Sequence, residues 1–281
     1  MGEHAAEWLV VGGGAMARAI LTRAASTGEV RPERTLVVEP DGSRREGFAS
    51  MGYQVAAGLR GATGRWAPGG CVLLAIKPQV LPEVVADLRA LIGGGAPLVV
   101  SILAGATTSA VEAASGPGAR VVRVMPNLPA TLGLGVSAVC AGATARAEDV
   151  RRVKALFAAV GPCVVELPEA LMDAFTATAG SGPAYVFYLA EAMEAGAREV
   201  GIDPAMAREV VAATLRGAAA MLDGAVDPAA LRANVTSRGG TTAAAIAELD
   251  DSGVLQAWLR AIVAARNRGR ELGGGAGSGA G

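Results

Sequence analysis

Trp8 to Ile20 reads WLVVGGGAMARAI. Four apolar residues, two of them β-branched, form a short buried strand, three glycines end it, and AMARAI continues with helical spacing. The glycines and Ala17 spell G-x-G-x-x-A. Gly12 permits a tight turn, Gly14 lets the backbone approach a pyrophosphate, and Ala17 is small enough for the helix to pack closely on the sheet. Ala15 and Met16 open that helix, and its unpaired N–H groups attract phosphate. A plain glycine turn has the same composition. The strand–loop–helix context is what points to a dinucleotide, NADPH or NADH.

The same unit repeats outward. Strands are expected at Glu7–Gly12, Thr35–Pro40, Cys71–Ile76, Pro97–Ile102 and Arg120–Met125, with helices at Ala15–Thr27, Ser43–Met51, Val80–Leu91 and Thr108–Ala114 between them. Such alternation builds a parallel sheet covered on both faces. Gly135–Ala141 and Pro162–Leu167 add edge strands around a helix at Glu148–Ala159. The fold class is therefore α/β, with a Rossmann-like, doubly wound parallel sheet over residues 1–167. Residues 168–272 read as all-α, and the helices there open on Asp203-Pro204 and Asp227-Pro228, an N-cap followed by proline at the first helical position. So alanine-rich a helical unit has a broad apolar surface, and packing against a second copy buries it. Residues 273–281, GGGAGSGAG, have no side chains to pack and are expected to be disordered.

Composition excludes several functions. The chain has 281 residues, is 52% hydrophobic and carries a net charge of −1. It has no basic stripe for nucleic acid. His4 is the lone histidine and lies near a terminus, so a multi-histidine metal site is excluded and histidine acid–base chemistry is not expected. Cys71, Cys140 and Cys163 fit neither a disulfide framework nor zinc and read as buried small hydrophobes in a reducing cytosol. No run of roughly 20 consecutive apolar residues, as a membrane span needs, is present. A cytoplasmic location is the expectation.

Glu39 ends the second strand, where an acid accepts hydrogen bonds from the adenosine ribose and favours NADH. Ser43, Arg44 and Arg45 follow at once and suit a 2′-phosphate; equally, Ser43 is a helix N-cap followed by solvated arginines. The residues leave these readings open.

Four later motifs, AIKPQ (Ala75–Gln79), RVMPNLPA (Arg123–Ala130), DAFTATAGSGPAY (Asp173–Tyr185) and TSRGGTT (Thr236–Thr242), stand in an order that resembles the pyrroline-5-carboxylate reductase family. The likeness runs from about Trp8 to Leu272. It implies NAD(P)H-dependent reduction of 1-pyrroline-5-carboxylate to L-proline, a helical domain that forms a homodimer, and larger rings of dimers. A protonated cyclic imine is already electrophilic, so positioning and carboxylate recognition dominate, in keeping with a chain whose only lysines are Lys77 and Lys154.

The resemblance also assigns residues. Thr176 matches a threonine beside the imine nitrogen; the bland alternative is a helix hydroxyl bonded to a carbonyl one turn back. Ser181 and Pro183 of GSGP start a new helix or help to shape the pocket. Asn234, Val235, Ser237, Gly239, Gly240, Thr241 and Thr242 match a carboxylate-binding loop, where glycines let N–H groups converge on an anion; otherwise this is an interhelical loop with threonine caps. Lys77 and Pro78 follow a strand at the sheet edge where cofactors bind, and Asn127 fixes the following loop or touches the cofactor. Three positions depart from the family pattern. Leu128 and Ala179 stand where hydroxyl residues are common, and Arg238 stands where proline is. These departures keep two rivals open: reduction of a related cyclic imino acid, and a non-catalytic nucleotide-binding dimer.

Overall fold

The computed structural model describes residues 5–224 and 226–275. The chain divides into two compact units, one running to Gly180 and taking in the chain from Ala265, the other Ser181–Ala264. The division thus falls beyond the Leu167 suggested by the change in sequence pattern. His4 and residues 276–281 of the glycine-rich tail lie outside the described residues, while 273–275 belong to the last helix.

The first unit is built on an eight-stranded sheet. Its strands are β1 (Ala6–Val11), β2 (Thr35–Val38), β3 (Gln54–Ala56), β4 (Trp66–Leu74), β5 (Leu98–Ser101), β6 (Arg120–Met125), β7 (Val136–Ala141) and β8 (Cys163–Glu166), in the order β3-β2-β1-β4-β5-β6-β7-β8. Helices α1 (Ala15–Ser26), α2 (Gly42–Ala49), α3 (Leu81–Ile92), α4 (Thr108–Ser115) and α5 (Ala147–Ala158) supply the crossovers. Strand residues alternate between two cores. Trp8, Val10 and Val37 join Ile20 of α1 and Phe157 of α5 on one face; Leu9, Val11 and Leu36 join Leu88 of α3 and Val111 of α4 on the other. With both faces covered, the central strands read as unbroken apolar runs.

The expectation of a parallel sheet needs one correction: β7 runs antiparallel to β6. A parallel partner requires a crossover long enough to return along the sheet. Here only a short 3-10 turn (Leu128–Leu132) separates the two strands. After β7 the helix α5 restores parallel pairing, so β7 is internal and β8 is the edge. The other edge, β3, is three residues long, too short to show a period. Cys71 and Cys140 are buried, and burial pushes both thiols up, but Cys163 on the edge strand is exposed, contrary to the expectation of a third buried cysteine.

From the first unit's α6 (Met172–Phe175) the chain does not break before α7 (Gly182–Glu199); it winds through a π turn, Thr176–Gly180. Ser181 precedes α7 in helical conformation with no capping bond from its side chain, which corrects its expected role as a cap that starts a new helix. The second unit continues with α8 (Pro204–Ala220), α9 (Pro228–Asn234), α10 (Thr241–Asp251) and the first part of α11 (Val254–Gly275). Asp203 and Asp227 cap α8 and α9 as their sequence predicts. This unit buries little by itself: Ala207 and Val211 are enclosed, whereas Val186, Phe187 and Tyr188 of α7 and Met206 and Val210 of α8 are exposed. No described helix is long and apolar enough to cross a membrane.

Candidate active site

β1 lies between β2 and β4, the point at which the strand order reverses, and its C-terminal end opens into the glycine loop. Gly12 has φ +99°, and a Cβ there would sit 2.6 Å from the Ala75 carbonyl oxygen, so only glycine fits. Gly14 is the opposite case: nothing lies within 4 Å of the position its Cβ would take. It is the N-cap of α1 and supplies no side-chain cap. The first amides of α1 therefore stand beside an open backbone, an arrangement suited to a pyrophosphate.

A cavity of about 290 Å³ adjoins this loop. Gly14, Ala15 and Met16 meet Lys77 there, and Ile76, Ile102, Met125 and Pro126 supply apolar walls. The sequence-predicted loop and lysine thus converge at the ends of β1, β4, β5 and β6. Pro78 opens the 3-10 turn that follows Lys77. Open glycine backbone, an uncapped helix and an apolar wall fit a nicotinamide dinucleotide. A larger open cleft of about 590 Å³, lined by Arg89, Glu112 and Thr144, lies at the opposite end of the strands and contains none of these residues. Among the described residues no cluster of His, Cys, Asp and Glu could hold a metal ion.

Glu39 is not placed as the sequence reading expects. Its side chain turns inward, Oε2 accepting from Gly13 N at 2.7 Å and Oε1 from Asp41 N at 3.0 Å. Ser43 is not the cap of α2 either. Asp41 is, accepting from the Arg44 N–H, while the Ser43 hydroxyl donates to Asp41 Oδ1 at 2.7 Å. These two bonds hold the Asp41 carboxyl below its ordinary value. The Arg44 guanidinium remains largely solvent-exposed.

Asn127 follows the cavity wall directly and is buried. Its Oδ1 accepts from Val136 N at 2.9 Å, and its Nδ2 donates to the Ala179 carbonyl at 3.0 Å. It thereby ties the loop after β6 to the π turn. Met125 lies close against the same turn: a Cβ on Gly180 would meet its Cε at 3.0 Å. Within that turn the Thr176 hydroxyl donates to Met172 O at 2.8 Å, the one-turn-back bond of an ordinary helical threonine. Its lone pairs remain available as acceptors. Single π turns inside helices recur at functional sites.

Sequence reading missed the group that anchors this segment. Arg123, in the middle of β6, is 4% exposed. It donates to Glu169 Oε1 at 3.2 Å and lies 3.9 Å from Asp173. Glu169 also accepts from both N and Oγ1 of Thr108, each at 2.7 Å. Burial raises the Glu169 pKa, but the Thr108 and Arg123 bonds outweigh it and leave the carboxyl below its ordinary value. The signal was available: an arginine inside the apolar run RVVRVM must be paired when the strand is buried.

The predicted carboxylate loop lies wholly in the second unit, between α9 and α10. Asn234 ends α9 and Val235 follows it, both exposed. Gly239 has φ +70°, and a Cβ on Gly240 would run into the Ser237 hydroxyl. Thr241 and Thr242 open α10. Where α8 and α9 carry aspartate caps, α10 has Gly240, which offers no side chain. Its first amides stay open to an external anion. Arg238 is exposed and forms no ion pair among the described residues.

Comparison with known proteins matches two family models to separate stretches of the chain. The pyrroline-5-carboxylate reductase dimerisation family matches residues 169–272. A family described as NADP oxidoreductase coenzyme F420-dependent matches residues 9–105, which include the glycine loop. A pyrroline-5-carboxylate reductase of Synechocystis is 40% identical over 265 residues, spanning 94% of this chain and 97% of its own. The chain belongs to the pyrroline-5-carboxylate reductase family. A solved pyrroline-5-carboxylate reductase from Coxiella burnetii, 30% identical, superposes with a TM-score of 0.84 over 96% of this chain and 99% of its own. A Plasmodium falciparum pyrroline carboxylate reductase, solved with NADP bound, shares the fold at 22% identity and a TM-score of 0.82, covering 97% of this chain and all (100%) of its own. Membership in the pyrroline-5-carboxylate reductase family accounts for the join of a sheet with a glycine loop to a helical unit.

Proposed function

We propose that the protein is an NAD(P)H-dependent reductase that converts 1-pyrroline-5-carboxylate to L-proline. The observation that carries this reading is the end-to-end likeness to pyrroline-5-carboxylate reductases, with the glycine loop and the α10 anion loop both intact. A bound reduced nicotinamide supplies the hydride that adds to the imine carbon. The chain's own residues bind and orient. Gly14 and the α1 amides take the pyrophosphate, with Lys77, Pro78 and Asn127 shaping the nicotinamide end. The largely exposed Arg44 guanidinium, beside Ser43 in the first turn of α2, offers donors for a 2′-phosphate, which favours NADPH. Ser237, Gly239, Gly240, Thr241 and Thr242 hold the substrate carboxylate, flanked by Asn234 and Val235.

Because the Thr176 proton is committed to Met172 O, its oxygen serves as an acceptor. It steadies an N–H on the iminium nitrogen, and the substrate enters already protonated. A neutral hydroxyl is in any case a poor general acid near neutral pH. This explains how Ala179 is tolerated where serine is common: Asn127 uses the Ala179 carbonyl, which any residue provides. Arg238 and Leu128, both exposed at their respective loops, favour one variant of the reading, a wider or differently substituted ring. Rates on five- and six-membered cyclic imino acids separate the two substrates.

Thr242→Ala removes a hydroxyl donor from the carboxylate loop and leaves the cofactor cavity untouched. KM for the imino acid should rise about tenfold, the value of one hydrogen bond to a charged group. Kd for NADPH should stay within twofold. Collapse of cofactor binding would contradict the placement of the loop.

The assembly is a homodimer through the second unit, further arranged as a ring of dimers, working in the cytoplasm. The support is the exposed apolar face of α7, where Tyr188 is 69% and Phe187 54% exposed. Phe187→Asp should shift sedimentation from dimer toward monomer and lower activity in proportion. An unchanged sedimentation coefficient would remove α7 from the interface.

A further inference from the structure

We infer that Glu39 is a positioning residue that braces the glycine loop from within and does not read the nucleotide ribose. The inference rests on the nucleotide site proposed above. An acid that reads a ribose must present free oxygens outward, to two hydroxyls. Glu39 is 5% exposed, and each of its oxygens accepts a backbone N–H of the protein, from Gly13 and Asp41, so little of the carboxylate faces outward. The loop is also pressed onto its stem: a Cβ on Gly13 would meet Glu39 Cβ and Cγ at 3.1 Å and Phe48 Cε2 at 2.8 Å. A charged acceptor shared by two backbone donors is a strong, short-range constraint. It fixes Gly13 between the two glycines that shape the phosphate turn.

The neighbouring groups complete the argument. Arg44 Nη1 lies 3.9 Å from Glu39 Oε1 and partly neutralises the carboxylate. Arg45 is committed to the carbonyls of Glu39 and Pro40, at 2.9 and 2.6 Å. The Asp41 carboxylate holds the Ser43 hydroxyl and the Arg44 N–H. The groups that face outward at this end of the site therefore belong to the first turn of α2, not to Glu39. An acid at the end of the second strand, read from sequence as a mark of NADH, carries no such preference in this chain. Loop geometry serves both nucleotides alike, so loss of the brace costs both alike.

Glu39→Gln tests this with a side chain of nearly the same shape. Its amide presents a donor to one of the two N–H groups and breaks one bond. Calorimetric Kd values for NADPH and NADH should both rise, on the order of tenfold, with their ratio unchanged. Hydrogen exchange at Gly13 should quicken in the nucleotide-free protein. Glu39→Asp, which keeps the charge but shortens the stem, should lose affinity for both as well. A loss confined to NADH, an aspartate variant with wild-type affinity for NADH, or unaltered exchange at Gly13 would each overturn the inference. If the wild-type protein binds neither nucleotide, the nucleotide reading itself fails; the exchange measurement, which needs no nucleotide, still decides whether Glu39 is a brace.

Discussion

Replacing Gly12 with alanine is expected to abolish nucleotide binding and to destabilise the sheet unit at its centre. Gly12 sits at φ +99°, where an L side chain costs about 1–2 kcal/mol. The added methyl must also push against the Ala75 carbonyl, 2.6 Å away, with Ala75 N bonded back to Val11 O at 2.8 Å. Neither β1 nor β4 can yield without disturbing the parallel pair they form inside the sheet. Kd for NADPH should rise at least about 100-fold, equivalent to roughly 2.7 kcal/mol. Gly14→Ala is the control. Its Cβ meets no protein atom and its φ of −69° suits alanine, so thermal stability should hold while the methyl intrudes on the phosphate path. A Gly12→Ala protein that still binds NADPH normally would show that the turn is not the phosphate loop.

Arg123→Met should be the most damaging change away from the glycine loop. It leaves Glu169, bonded to Thr108, without its cation, and releases Asp173 at the start of α6. Breaking a buried pair by removing one partner costs about 3–5 kcal/mol; partial exposure of Glu169 brings the expectation to about 2–3 kcal/mol. In a chain of this size that corresponds to a Tm lower by roughly 5–10 °C. The pH dependence has a definite sign. The folded-state pKa of Glu169 lies below its unfolded value. Its contribution to stability is complete above the unfolded value and disappears as pH falls through the folded one. Wild-type protein should lose stability across that acidic window, and Glu169→Gln should lose less of its own stability there. Because α6 leads directly into the π turn, kcat should fall in Arg123→Met while Kd for NADPH changes little. Equal melting curves for wild type and variant would refute the anchoring role.

Much of this was legible in the sequence, and the exceptions share a cause. The glycine loop, the strand–helix alternation and the aspartate-capped helices are local patterns, and local patterns survive folding. The antiparallel β7 was not legible, because it depends on whether the Asn127–Gly135 segment makes a crossover. GSGP has the composition of a break, yet the residues before it wind through a π turn and Ser181 keeps a helical conformation into α7. Glu39 and Ser43 were placed by motif position, yet their partners, Gly13 and Asp41, decide which way each side chain faces. Arg123, Thr108 and Glu169 are far apart in sequence and meet only through tertiary structure. The α10 loop was found by its resemblance, and the structure adds the missing cap on its helix.

The most direct test mixes purified protein with 1-pyrroline-5-carboxylate and NADPH, and follows NADPH oxidation together with proline formation. We expect one proline formed for each NADPH oxidised, with Thr242→Ala shifting KM for the imino acid alone. NADPH binding without any proline would contradict the central claim and leave a nucleotide-binding dimer in its place.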